Sequence, residues 1–292
     1  MGMDTRGGNL FLLSLFITFL QIGLLAFTIT LLVIHRRRIR EFFKPGLILG
    51  AVCFVFSLPM TLFLLAGMDF SALLPASLGP EFAQMMTTIM LVAGVFSGLL
   101  GVGVVMCHYV IAAAEWDTMR PRPFPVFMRT GRQAWARIGI AALVGAGAAG
   151  LSMAAGKLLN VGLGDLLQIQ SDLLKEFNKL PEVLQFVLML LFVVSAAVSE
   201  EILYRGALLG FLCRVSRDRT TWVLASIFTV SLLWAFMHVL NTDNPTFKLA
   251  QVFILGVVFA EFARRWSLES AMAAHISLNV TALLLGLLPV FQ

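Results

Sequence analysis

Charged residues are scarce in this 292-residue chain: 21 Lys and Arg with 16 Asp and Glu make up 13% of it, against 59% apolar residues and a mean hydropathy of +0.92. Soluble domains carry about a quarter of their residues charged, so that class is excluded. Cysteine is sparse as well. Cys53, Cys107 and Cys213 lie in apolar runs, odd in number and at no metal-like spacing, so neither a disulfide framework nor a thiolate metal centre is read from them. The pattern of a cleaved secretory signal is missing, because the Arg36, Arg37, Arg38, Arg40 cluster follows the first apolar stretch and no small-residue cleavage site is evident. That stretch is expected to stay as an anchor. Neither an N-terminal myristoylation pattern nor a C-terminal prenylation cysteine is present.

What the chain does have is long apolar runs. Asn9 to Ile34, Gly46 to Gly67 and Phe82 to Ala114 each suffice to cross a hydrocarbon layer that needs roughly 20 apolar residues. Runs bounded by charges and by Pro or Gly predict eight spans, at 9–34, 46–67, 82–114, 137–156, 183–213, 222–240, 248–263 and 268–288. The fold class is therefore all-α, a polytopic integral membrane protein with about eight transmembrane helices. A net charge of +5 does not imply a nucleic-acid partner, since the basic residues stand in short blocks beside the spans. The lipid bilayer is the partner implied, and such blocks set orientation. With the N-terminus outside, 15 basic residues fall in inner loops and 5 (Arg6, Lys157, Lys175, Lys179 and Lys248) outside, so both termini are expected on the outer face.

The spans divide into an N-terminal four-helix membrane region (1–156), an outer amphipathic connector (157–182) and a C-terminal core (183–288). In the connector, Leu166, Ile169, Leu173 and Phe177 recur at helical spacing among charges, which suits either a helix lying on the outer leaflet or an ordinary packing loop. Gly145, Gly147 and Gly150 in the fourth span, with Gly94, Gly98 and Gly101 in the third, read as faces for close helix approach. His35, His108, Glu115 and Glu261 read as interfacial or loop residues. No inverted repeat of the transporter kind is evident.

Three ionisable side chains lie deep within one apolar run, Val-Ser-Glu-Glu-Ile-Leu-Tyr-Arg, as Glu200, Glu201 and Arg205. Each costs roughly 2.5–3.5 kcal/mol at a helix centre, which makes them functional candidates. Glu201 and Arg205 are four apart and can pair on one face, whereas Glu200 lies about 100° round the helix without a local partner. His238 and His275 also sit inside apolar runs, and Asn279 shares a face with His275. At 1.5 Å per residue, Glu200 lies about 21 Å from Arg214, His238 about 24 Å from Trp222, and His275 and Asn279 about 15 and 21 Å from Arg265. Each taken alone has an ordinary role available, as a hydrogen-bonded packing residue or a salt bridge. Together a carboxylate, two imidazoles and an amide at comparable depth supply a general base, a proton shuttle and oxyanion donors.

Glu-Glu-x-x-x-Arg at 200–205, aromatic-x-x-x-His at 234–238 and His-x-x-x-Asn at 275–279, in that order on successive apolar helices, resemble the CPBP family of intramembrane proteases, also called type II CAAX proteases or the abortive-infection family. The resemblance covers about residues 183–288. The family's second motif usually opens with Phe, and here it opens with Trp234, a bulky aromatic suited to the same packing role. The resemblance implies an intramembrane endopeptidase that hydrolyses a peptide bond of a membrane-associated protein or peptide, in a bacterial or archaeal cell membrane. Glu200 would activate the water with help from His238, while His275 and Asn279 stabilise the oxyanion. Glu201, Arg205 and Trp234 would be supporting residues. Eukaryotic relatives trim prenylated CAAX proteins, and bacterial ones are linked to peptide maturation and self-immunity.

No cofactor is expected. Two His and a Glu are also a zinc ligand set, but the chain has no His-Glu-x-x-His and Asn is a poor zinc ligand, which disfavours a zinc-dependent mechanism. Two other functions fit the same residues: a non-catalytic immunity or scaffold protein that keeps the constellation for structure, and a proton-coupled transporter with a Glu/His relay.

Overall fold

In the computed structural model the described residues are 22–37, 39–67, 85, 101–116, 132–159, 161, 181–216, 219–239 and 244–286. Among them there is no strand, and the helices are α1 (Ile22–Ile34), α2 (Ile39–Gly67), α3 (Gly101–Trp116), α4 (Arg132–Leu158), α5 (Glu182–Val215), α6 (Thr220–His238), α7 (Pro245–Arg265) and α8 (Leu268–Gly286). Five of these, α4 to α8, are long and apolar enough to cross a membrane. The chain is an integral membrane protein, all-helical over the described residues. The first halves of the spans expected at 9–34 and 82–114, and residues 162–180 of the amphipathic connector, lie outside the described residues.

Helix ends depart from the apolar runs for a physical reason. The apolar run measures hydrocarbon thickness, whereas backbone hydrogen bonding continues into the polar layer as long as the residues there tolerate helix. So α4 starts at Arg132 where its apolar run starts at 137, and α2 starts at Ile39 where its run starts at 46. Caps fix other ends. Asn244 accepts from the Phe247 N–H at 3.3 Å, and Pro245, whose missing N–H costs nothing in the first turn, opens α7. Ser267 accepts from the Ser270 N–H at 3.2 Å and opens α8 only two residues after α7 ends at Arg265. Arg264 and Arg265 complement the negative end of the α7 dipole while pairing with Glu261 at 2.9 and 2.8 Å.

Packing centres on α8, which lies against α4, α5 and α7, while α7 lies along α6. Trp234, Phe259, Ile227, Leu209 and Ala274 belong to the core these helices share. Large apolar side chains such as Leu143 and Leu151 on α4, Phe228 on α6 and Ile254 on α7 are exposed, as suits helices facing hydrocarbon. The small residues of α4 divide accordingly. A Cβ on Gly145 would stand 2.0 Å from the Ala274 carbonyl oxygen, but Gly147 and Gly150 have nothing within 4 Å and serve no close approach. Among the third-span glycines, Gly101 likewise meets nothing within 4 Å, and Gly94 and Gly98 lie outside the described residues. Because Ala274 precedes His275, Gly145→Ala is expected to push α8 outward and destabilise the protein by about 1–3 kcal/mol. Gly147→Ala should leave the melting temperature of detergent-solubilised protein unchanged, and thermal melts of the two variants check the contrast.

A second polar cluster ties the amino-terminal helices to this core. Glu115, at the end of α3, is fully buried, accepts from His35 just beyond α1 at 2.7 Å, and is gripped by the Arg214 guanidinium at the end of α5 through Nε and, at 3.0 Å, through Nη2. The residue expected at the interface is therefore sealed by protein rather than open to solvent. A single buried carboxylate gathers the C-terminal ends of α1, α3 and α5 on one side, as an alternating topology requires. Deeper between α1 and α3, Thr28 donates to the Leu24 carbonyl and so accepts from His108 Nε2 at 2.9 Å, which makes His108 a bonded packing residue.

Candidate active site

The two adjacent glutamates stand where α5 changes its winding. The helix is α-helical from Glu182 to Glu201, π-helical from Ile202 to Leu208, and α-helical again to Val215. A π segment breaks the regular bonding of the helix, and such segments are frequent at functional sites. Here Trp116 of α3 meets the segment's carbonyls, donating its indole N–H to Gly206 at 2.9 Å and to Arg205 at 3.3 Å. Gly206 allows that approach, since a Cβ there would lie 2.7 Å from the Ala112 methyl.

Glu200 and Glu201 point to different surroundings, as consecutive residues on a helix must. Glu201 and Arg205 have no exposed side-chain surface and pair at 2.9 Å. The Arg205 guanidinium also donates to the Gly256 carbonyl at 3.3 Å and lies 4.1 Å above the Trp234 ring and 5.8 Å from that of Phe259. This cation is held by a carboxylate, a carbonyl and two aromatic faces at once. Gly256 permits the crossing of α7 over α6, because a Cβ there would meet the Ser231 Cβ at 2.8 Å.

Glu200, by contrast, keeps 29% of its side chain exposed and faces His238, which keeps 16%, with Oε2 and Nε2 3.6 Å apart. His238 Nδ1 lies 2.8 Å from the Trp234 carbonyl, which can only accept, so Nδ1 carries the proton and Nε2 is the nitrogen turned to Glu200. The Trp234 indole N–H donates to Glu200 Oε2 at 2.6 Å. His238 is the last α-helical residue of α6, so the pair sits at that helix's end.

His275 turns toward the sealed carboxylate. Its Nδ1 is 2.9 Å from Glu201 Oε1, and its ring lies edge-on to Trp234 at 5.2 Å and stacked on Phe259 at 5.3 Å. With Nδ1 committed to Glu201, only Nε2 remains to meet a substrate. Asn279, one turn further along α8, donates Nδ2–H to the Val193 carbonyl at 3.4 Å, seven residues before Glu200 on α5. The structure thus joins Glu200, His238 and Trp234 in one set and Glu201, Arg205 and His275 in a second, with Trp234 touching both. Asn279 is bonded to backbone beside them.

Phe259 and Lys248 were not singled out from sequence. Lys248, counted there as an outer-side charge, is buried in the first turns of α7 within electrostatic reach of His238. Lys248, Val252, Gly256 and Phe259 recur at helical spacing, and that stripe was the available signal for the face α7 turns to the site. Among the described residues no three His, Cys, Asp or Glu side chains are grouped as a metal ion would require. Glu200 and His238 face each other while His275 is turned to Glu201.

Residues 182–281, which span α5 to most of α8, match the family described as type II CAAX prenyl endopeptidase, Rce1-like, a peptidase family. No curated protein and no solved structure gives a match.

Proposed function

We propose that this chain, with its Rce1-like domain, is an intramembrane endopeptidase in which Glu200 and His238 activate a water for attack on a peptide bond of a membrane-associated protein or peptide. The observation that carries the reading is the contrast between neighbours. Glu200 is partly open and faces Nε2 of His238 at 3.6 Å, whereas Glu201 is sealed in an ion pair. A spacing slightly beyond hydrogen-bond length suits two groups that share one water. Glu200 takes a proton from that water as its oxygen bonds to the scissile carbonyl carbon, and the carbonyl π pair moves onto oxygen. His238 Nε2 hydrogen-bonds the same water and then relays the proton to the leaving nitrogen as the C–N bond breaks. The second Nδ2–H of Asn279 is a donor available to the oxyanion, joined by His275 Nε2 when that ring carries a proton on both nitrogens, in a site where exclusion of water strengthens them.

The mechanism we infer needs no metal. A zinc ion would need both imidazoles and Glu200 gathered together, and among the described residues no three His, Cys, Asp or Glu side chains are grouped in that way. We place the catalytic core at 183–288, with residues 1–156 as a supporting membrane region. The distribution of basic residues supports both termini on the outer face of a bacterial or archaeal cell membrane. A scaffold protein has no use for a half-open carboxylate, and a transporter would need a relay leading onward from Glu200, where Trp234 and His238 instead close around it.

Comparative membrane proteomics of cells carrying wild type or Glu200→Ala tests the function. Fragments present only with wild type are expected, and their ends name the substrate and bond. Identical fragment sets at equal expression would sink the protease reading.

A further inference from the structure

We infer that Trp234 is a positioning residue for the base, acting through its indole N–H, and not merely an aromatic filler where the family pattern has Phe. The inference rests on the proposed role of Glu200. Trp234 is 2% exposed, and a buried indole N–H needs an acceptor. The acceptor here is Glu200 Oε2 at 2.6 Å, the same oxygen that lies 3.6 Å from His238 Nε2. A carboxylate on a three-bond side chain can rotate freely; one bond from a rigid, buried ring fixes its plane toward His238. The ring itself is clamped, with the Arg205 guanidinium 4.1 Å above its face and the rings of His238 and His275 edge-on at 5.0 and 5.2 Å. A cation over the indole face draws π density away from the N–H edge and strengthens the bond that edge donates. Arg205, which does not touch Glu200 by hydrogen bond, thereby reaches it through the ring. A phenylalanine would keep the packing and much of the cation–π contact, but it would leave Glu200 without this donor.

Two replacements separate donation from packing: Trp234→Phe, and Trp234→β-(3-benzothienyl)alanine, which keeps the bicyclic shape and puts sulfur in place of the N–H. The probe is a farnesylated, fluorogenic peptide ending in a CAAX sequence. Both variants are expected to lose about tenfold to a hundredfold in kcat, the worth of one hydrogen bond to a charged group, with KM within about twofold of wild type. The benzothienyl variant should melt at the wild-type temperature. Wild-type kcat in the benzothienyl variant would overturn the inference. A second readout does not depend on turnover. In 1H–15N spectra of detergent-solubilised protein, the indole resonance that Trp234→Phe deletes is expected downfield and should move upfield in Glu200→Ala. An unmoved resonance overturns the inference as well. If wild type does not cleave the probe, it is the substrate class that fails, and the indole resonance still decides the role of Trp234.

Discussion

Glu200→Gln is expected to lower kcat by about 10²–10⁴-fold, the usual contribution of a positioned general base, while KM changes by less than about threefold. Glutamine keeps the length of the side chain and an oxygen that can accept the Trp234 N–H now bonded at 2.6 Å, so the packing around residue 200 survives. What it cannot do is take a proton. His238→Ala should be nearly as damaging, because Nε2 at 3.6 Å is the group through which the proposed relay passes. The two losses should not add: residues that act as one unit lose most of their effect with the first removal. Kinetics on the substrate named by proteomics, for both single variants and the double, checks this. Chelators should leave wild-type turnover intact, and mass spectrometry of active protein should find no stoichiometric zinc. A metal that restores activity to a chelated sample would transfer the role of Glu200 to that ion. If Glu200→Gln cuts peptides at the wild-type rate, the carboxylate is structural and the mechanism proposed here is wrong.

The site was legible where one residue type violated its surroundings. Glu200, Glu201, Arg205, His238, His275 and Asn279 stood out because each is polar inside an apolar run, and the four-residue spacing of Glu201 and Arg205 predicted their pairing, now at 2.9 Å. The different surroundings of the two glutamates were also readable: 100° of helix rotation separates neighbours, and only one of them had a partner four residues on. Helix identity in α4 to α8 followed from the same contrast, since long apolar runs in lipid must satisfy their backbone internally.

Other features depend on contacts that no run or spacing encodes. Glu201 was expected to serve Arg205 and the helix, yet it also binds His275 on α8, a partner 74 residues away. Trp234 counts among the apolar residues of its run, so a scan for misplaced polar groups passes over its single N–H. Glu115 was read as interfacial and His35 as part of a basic loop because they adjoin charged residues; the burial of Glu115 came from the convergence of three helix ends upon its carboxylate. The π segment at 202–208 has no compositional mark at all. It depends on Trp116 arriving from α3 to meet its carbonyls.

Arg205→Ala should cost the fold more than any other single change in the core, about 3–5 kcal/mol, because it strands a buried carboxylate. Glu201 would lose its ion-pair partner, and its Oε2 is already buried with no hydrogen-bond partner among the described residues. Arg205→Lys should recover only part of this, since an ammonium cannot reach Glu201, the Gly256 carbonyl and the Trp234 face together. The double variant Glu201→Leu with Arg205→Met removes both charges, and buried pairs exchanged for apolar residues of similar size are often neutral or stabilising. Thermal melts in detergent should therefore show Arg205→Ala far below wild type and the double variant near it. Turnover should not follow stability. Without Glu201, His275 loses the acceptor that holds Nδ1 at 2.9 Å and its ring is free to turn about Cβ, so the double variant should remain well folded and at least tenfold slower. A double variant with both wild-type stability and wild-type kcat would mean that the sealed pair only joins helices. A stable but slow one would show that an otherwise costly buried ion pair is kept for the site, through the imidazole that Glu201 aims and the indole that Arg205 covers.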